Sequence, residues 1–207
     1  FFIECNPRIQ VEHTVTELVT GTDLVEAQFR IAAGATLASL GLGDQKAVGA
    51  PHGFAVQARV VATSTGSLTA YKEPSGVGIR VDACGYLGYS PPPQFDPLLA
   101  KLICTSRAYA PAIERTMHAL DEFHIGGLQT NTHQLRAILM HSSVRAGDAR
   151  TSLFAEAPEI LTVSFSTAEG SALALLEQQA TRLGGTVGVV AQASHSSITF
   201  MPVLEVA

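Results

Sequence analysis

The chain has no run of Lys or Arg, and its formal net charge of -5 gives it no basic footprint for nucleic acid or for an anionic membrane surface. It has no stretch of about 18 apolar residues that could cross a bilayer, and no opening of the secretory kind. It has only three cysteines, Cys5, Cys84 and Cys104, without a CxxC or other metal-type spacing. An odd and sparse set argues against a disulfide framework and fits a reducing compartment, cytoplasmic or, in a eukaryote, mitochondrial. All three are expected to be buried thiols. Internal repeats are absent, and Pro91, Pro92 and Pro93 are the one biased tract. The first residue is Phe1 rather than Met, so a piece of a larger protein is expected.

Against those absences stand 207 residues, 46% apolar and 15% charged, the balance of a well-buried globule. The opening FFIECNPRIQVEH places Glu4, Asn6, Arg8, Gln10 and Glu12 at every second position. An extended chain would aim all five to one side, with Phe1, Ile3, Cys5, Ile9 and Val11 on the other. Unpaired charge does not fill a core, because burying it costs several kcal/mol. Read from the residues alone, this face is either a site for a metal and an anion or a strand edge in water. Glu4 and Asn6 are hard oxygen donors suited to Mg²⁺ or Mn²⁺ on nucleotide phosphates. Arg8 and Gln10 suit a small planar oxyanion. Glu12 is either a base or the salt-bridge partner of Arg8.

Further on, Asp23 with Glu26 predicts a capping box and Gly34 a stop, giving a helix whose Leu24, Gln28 and Ile31 share a face. Gly, Ala and Ser with Pro51 then mark a boundary near residue 50. Strands are predicted at GFAVQARVVAT, SLTAY, GVGIRVDA, YLGYS and FDPLLAKLICTS. Ala110 to Phe123 reads as a helix with Ile113, Met117 and Leu120 on one stripe, and Asn131 is expected to cap a second helix. In the tail, TAEGSALALLEQQATRLGG reads as a helix, and TVGVVAQ and SSITFMPVLEV as strands. His118, His124, His133, His141 and His195 share no ligand spacing and are read as surface or helix-face residues.

Glu4-Cys-Asn6-Pro-Arg8-Ile-Gln10-Val11-Glu12-His13, with Thr16-Glu17 and Gly21-Thr-Asp23-Leu24, closely resembles the end of the ATP-grasp domain of biotin carboxylases. These are the first half-reaction modules of acyl-CoA, pyruvate and urea carboxylases. Ala55-Val-Gln-Ala-Arg59-Val resembles the family's strand bearing an essential Arg, and Gly76-Val-Gly-Ile-Arg80-Val-Asp82 its PxGxGxRxD segment. Phe95-Asp96-Pro-Leu-Leu-Ala-Lys101 and Gly127-Leu-Gln-Thr130-Asn131 match two more segments in family order. The resemblance implies an α+β fold: the end of an ATP-grasp domain at 1–50, a mixed sheet-and-helix biotin carboxylase C-terminal domain at 51–154, and a tail, linker or further domain at 155–207.

It also implies an ATP-dependent ligase that carboxylates biotin from bicarbonate through carboxyphosphate. Glu4 and Asn6 would help hold the metal on ATP. Arg8, Gln10 and the Val11 backbone would position bicarbonate, Glu12 would deprotonate it, and Arg59 would stabilise the biotin enolate oxygen. Leu153 falls where the family contacts adenine. Asp96, Lys101, Arg80 and Asp82 are expected to be scaffold, the last two paired with each other, and His13 to orient its loop. Implied partners are a biotin carboxyl carrier domain and a carboxyltransferase domain, in cis or in trans, and further copies of the same chain, with no nucleic acid and no membrane.

Three departures surround Arg59: Phe54 where the family often has His, Gln57 where many members have Glu, and Val61-Ala62-Thr63 in place of Asn-Ala-Glu. The family's Gly-rich flap, phosphate-binding Lys residues and second metal-binding Glu do not occur in these residues, so the chain alone is expected to be inactive. Two rival readings are a carbamoyl-phosphate synthetase-like ligase, which would share the Glu-x-Asn-x-Arg pattern, and a non-catalytic interaction module.

Overall fold

The computed structural model describes residues 4–162 and 204–206. In chain order the elements are α1 (His13–Thr20), α2 (Leu24–Ala32), a 3-10 turn (Ala38–Leu40), α3 (Gln45–Val48), β1 (Phe54–Val61), β2 (Ala70–Lys72), β3 (Ile79–Ala83), β4 (Leu98–Ser106), α4 (Tyr109–Glu122), β5 (His124–Gly126), α5 (Thr132–Met140), α6 (Ser142–Arg145), α7 (Leu153–Glu156), α8 (Glu159–Thr162) and β6 (Leu204–Val206). The principal sheet is antiparallel in the order β3-β4-β1-β6, and β2 pairs with β5 beside it.

Strand alternation divides this sheet into two unlike faces. Val56, Ala58 and Val60 of β1 and Ala100, Leu102 and Cys104 of β4 face the main core, where they meet Ala112, Ile113 and Leu120 of α4 and Leu135, Ile138 and Leu139 of α5. Each fully buried Val, Leu or Ile stabilises the fold by about 1.5–3 kcal/mol, so this face holds the domain together. The other face carries Ala55, Gln57, Arg59, Lys101, Ile103, Arg80 and Asp82, and α1 lies across it. Its apolar contact is small, Val15 and Val19 against Ala55 and Ile103. Half-buried Leu18 of α1 packs beside them, and the other contacts described between α1 and the sheet are polar.

The strand expected over the opening residues is not there. Glu4 to Asn6 are irregular, the chain bends at Pro7 and Arg8, turns at Val11 and Glu12, and enters α1 at His13. Pro7 supplies no N–H and fixes φ, which breaks a ladder. The His13 N–H donates to the Gln10 carbonyl and the Val15 N–H to that of Glu12, so helical bonding begins here. The five polar side chains therefore do not share a face. YLGYS is not a strand either: Gly88 adopts φ 85° and the Tyr89 N–H returns to the Tyr86 carbonyl, making a turn.

Other expectations fare differently. Asp23 caps α2 by accepting from the Glu26 N–H at 2.7 Å. The α2 face is open among the described residues, with Phe29 75% and Ile31 42% exposed. Cys104 is buried, but Cys5 and Cys84 are exposed, because Cys5 precedes the Pro7 bend and Cys84 follows β3 in a loop. The tail helix TAEGSALALLEQQATRLGG, the strand TVGVVAQ and His195 lie outside the described residues. Of SSITFMPVLEV, Leu204–Val206 forms β6.

Candidate active site

Register places Arg59 opposite Lys101 and Lys101 opposite Asp82, so three charged side chains run in a row across β1, β4 and β3. Gln57, Ile103 and Arg80 form the next row. Over the first row comes the N-terminal end of α1. Glu12, the residue preceding that helix, makes no side-chain cap. Its Oε2 instead accepts from the Arg59 guanidinium at 3.0 Å, across 47 residues of sequence. The Glu12 and Arg59 side chains are 35% and 25% exposed. A pair this open stabilises by only about 0.2–1 kcal/mol, so an entering anion or ligand oxygen can separate it at small cost.

The two like charges, Arg59 and Lys101, stand side by side because each has its own acid. Lys101 Nζ meets Asp82 Oδ2 at 3.1 Å and also donates to the Val11 carbonyl at 3.4 Å. The lysine thus ties the peptide just before Glu12 to the sheet. Asp82 accepts from Arg80 in two places, 2.8 and 3.0 Å. Arg80 continues to Glu17 of α1 at 3.3 Å, and Glu17 accepts from the Leu24 N–H at 3.0 Å, joining α1, α2 and β3. Burial works to raise the Asp82 carboxyl, but hydrogen bonds from Arg80 and Lys101 outweigh it and hold the group below the ordinary range. The Arg80 guanidinium is held correspondingly above its own. The pairing of Arg80 with Asp82 and the scaffold place of Lys101 thus match the sequence reading.

The remaining sequence candidates are spread out. Asn6 Nδ2 donates to Glu4 Oε1 at 3.2 Å, and both side chains are exposed. Arg8 is exposed and donates to the Ile9 carbonyl. Gln10 is half-buried, and His13 Nδ1 lies 2.6 Å from its carbonyl oxygen, which fixes the turn into α1. Leu153 opens α7 and is buried in the main core, on the far face of the sheet from Arg59. The structure therefore brings Glu12, Arg59 and the Val11 backbone together, and does not bring Leu153 to them. Asp96 accepts from the Leu98 N–H and starts β4.

Sequence reasoning missed three contributors. Thr14, fully buried, donates to Gln57 Oε1 at 2.7 Å, locking α1 against β1. Gln57 Nε2 is buried and has no hydrogen-bond partner among the described residues. Glu17 joins the charged network described above. Glu17 left a signal as a carboxylate one helical turn past His13, and Gln57 left one only as a departure beside Arg59; Thr14 left none. Phe54, which stands in place of the family's His, packs edge-on against Tyr109 at 6.0 Å.

Glu12, just ahead of α1, thus rests on the sheet-borne guanidinium of Arg59 within an α+β frame. Residues 57–156 match the model of the biotin carboxylase C-terminal domain, and residues 1–40 that of the carbamoyl-phosphate synthase L chain ATP-binding domain. The chain is homologous to the biotin carboxylases and carries their C-terminal domain. It is 38% identical over 172 residues to a pyruvate carboxylase of Aspergillus terreus, covering 79% of this chain and 14% of that protein. The biotin carboxylase domain of a single-chain bacterial carboxylase superposes with TM-score 0.73 at 44% identity, over 78% of this chain and 39% of that one. A Hydrogenobacter thermophilus 2-oxoglutarate carboxylase biotin carboxylase domain dimer, solved with MgADP, ADP and bicarbonate, gives TM-score 0.73 at 35% identity, over 80% and 37%. The chain thus spans about one seventh of the Aspergillus relative.

Proposed function

We propose that the protein to which this chain belongs is an ATP- and bicarbonate-dependent ligase that carboxylates biotin, the first half-reaction of an acyl-CoA or pyruvate carboxylase. The observation that carries the reading is the contact of Glu12 with Arg59. It joins the segment matched by the ATP-binding model to the segment matched by the biotin carboxylase C-terminal model. A carbamoyl-phosphate synthetase-like ligase would account for the first segment but not for the second.

In this reading Glu12 is the base. Bicarbonate, held by Arg8, Gln10 and the Val11 backbone, enters the open side of the pair, and Glu12 takes its proton. Deprotonated bicarbonate attacks the γ-phosphate of ATP, displacing ADP and giving carboxyphosphate, which breaks down to CO₂ and phosphate; that phosphate takes the ureido N1 proton of biotin, and N1 of the resulting enolate captures the CO₂. Arg59, freed from Glu12, turns its guanidinium to the negative charge growing on the ureido oxygen of biotin. Lys101 keeps the Val11–Glu12 peptide fixed while the pair exchanges partners.

Mg²⁺ or Mn²⁺ would supply charge neutralisation on the ATP phosphates. The residues present fit a partial ligand set: Glu4 and Asn6 stand side by side in the open, with Asn6 Nδ2 on Glu4 Oε1, and their side chains carry the hard oxygens that suit an ion keeping waters and phosphate oxygens. No group of three or more His, Cys, Asp or Glu gathers for a metal among the described residues. A carboxyl carrier domain and a carboxyltransferase domain are the partners this role requires. Self-association is supported by the dimer of the Hydrogenobacter relative. The sparse cysteines support a reducing compartment, the cytoplasm.

The test is Glu12→Gln in the intact protein. ATP cleavage that depends on bicarbonate should fall by about 10²-fold or more, as for loss of a general base. Unchanged cleavage would remove Glu12 from the chemistry.

A further inference from the structure

Asn131 stands at the N-cap position of α5, yet its side chain makes no cap hydrogen bond. It is turned away from the helix, 3% exposed, onto the edge of β1. Nδ2 donates to the Arg59 carbonyl at 3.0 Å, and Oδ1 accepts from the Val61 N–H at 2.9 Å. The carbonyl of one residue and the N–H two further on point to the same side of a strand, so one carboxamide here imitates the peptide of a neighbouring strand. The Asn131 N–H adds a bond to the Val61 carbonyl at 3.2 Å, and the Thr63 N–H donates to the Gln129 carbonyl at 2.8 Å.

This splint sits beside an irregularity in β1. Opposite it, the β1–β4 ladder slips between Val60 and Val61. On the splint's own edge, β6 pairs with Val56, Gln57 and Ala58 among the described residues. Arg59 therefore lies next to the point where the β1–β4 ladder slips. Its guanidinium reaches Glu12 from the end of a long side chain, so a displaced Cα carries the charge with it.

We infer that Asn131 is a positioning residue for Arg59, holding its backbone so that the guanidinium stands at the height of the reacting oxygen. The inference rests on the reading of Arg59 given above. Asn131 touches neither substrate nor cofactor; it acts through Arg59.

A double-mutant cycle in the intact protein tests it, with Asn131→Ala, Arg59→Lys and the combination, read as ATP-dependent carboxylation of free biotin. Misplacing a catalytic group by about 1 Å costs up to about 10²-fold, so Asn131→Ala should lower kcat by at least about tenfold when Arg59 is present. In the Arg59→Lys background the same substitution should cost no more than about twofold, because coupled residues are not additive. Asn131→Asp keeps the acceptor for Val61 and loses the donor to Arg59, and should fall between. If Asn131→Ala does not fold, Asn131→Asp carries the cycle with the same expectation of coupling. Equal fold-losses in both backgrounds would mean a purely structural residue and overturn the proposal. Full activity of Arg59→Lys alone would be a different failure, one that removes Arg59 from the chemistry and the inference with it.

Discussion

Glu12 and Arg59 are legible as separate candidates in the sequence, but their meeting is not. Glu12 was expected to extend the Glu4-to-Gln10 face, and the bend at Pro7 together with the start of α1 sends it onto the sheet instead. The charged row beneath it has a consequence for acid stability. Asp82 is held below its ordinary range, so its contribution is present above the unfolded value near 3.9 and is lost as pH falls through the lower folded value. Asp82→Asn should therefore cost about 1 kcal/mol at neutral pH, since the cluster is partly open to water, and should flatten the acid limb below pH about 4. Urea titrations from pH 7 to 3 would show both effects, and an unchanged acid limb would contradict the assignment. The thiols give a second prediction at this scale. Burial pushes Cys104 up to about 11, whereas Cys5 and Cys84 are exposed. Iodoacetamide at pH 8 should label two cysteines in the folded chain and the third only after unfolding, as resolved by mass spectrometry.

At the scale of elements, β1, β3, β4 and α4 were readable because their alternation and helical stripe coincide with what the fold buries. Val56, Ala58 and Val60 point one way, and Gln57 and Arg59 the other. Local chemistry failed where a tertiary partner outbid it. Asn131 has the residue type of a cap and serves as a strand splint, satisfying the Arg59 carbonyl and the Val61 N–H on the edge of β1 away from β4. YLGYS has strand-like composition, but Gly88 at positive φ closes it into a turn. The segment that presents Asn131 begins at Gly127, φ 87°, where an added Cβ would overlap the Ser67 carbonyl oxygen. Gly127→Ala should destabilise the protein by about 1–3 kcal/mol, the cost of such backbone strain, and lower its melting temperature by several degrees. A melting curve unchanged from wild type would show that the turn can relax.

For the whole molecule, the two faces of one sheet divide the work: a main core that α4 and α5 close with apolar side chains, and a charged row that α1 covers loosely. Loose cover suits the proposed exchange, in which the carboxylate and guanidinium part and take up different ligands. It also explains why Gln57, Arg59 and Lys101 can sit on strands without filling the main core. The central claim is that Glu12 and Arg59 act in one carboxylation. The measurement that tests it most directly is transfer of radiolabelled bicarbonate to free biotin by the intact protein, with and without ATP, in wild type and in Arg59→Gln. ATP-dependent label on biotin in the wild type, falling by about 10²-fold in the variant as for loss of an oxyanion donor, is the predicted result. Label at the wild-type level in Arg59→Gln, or none in the wild type, would contradict the account.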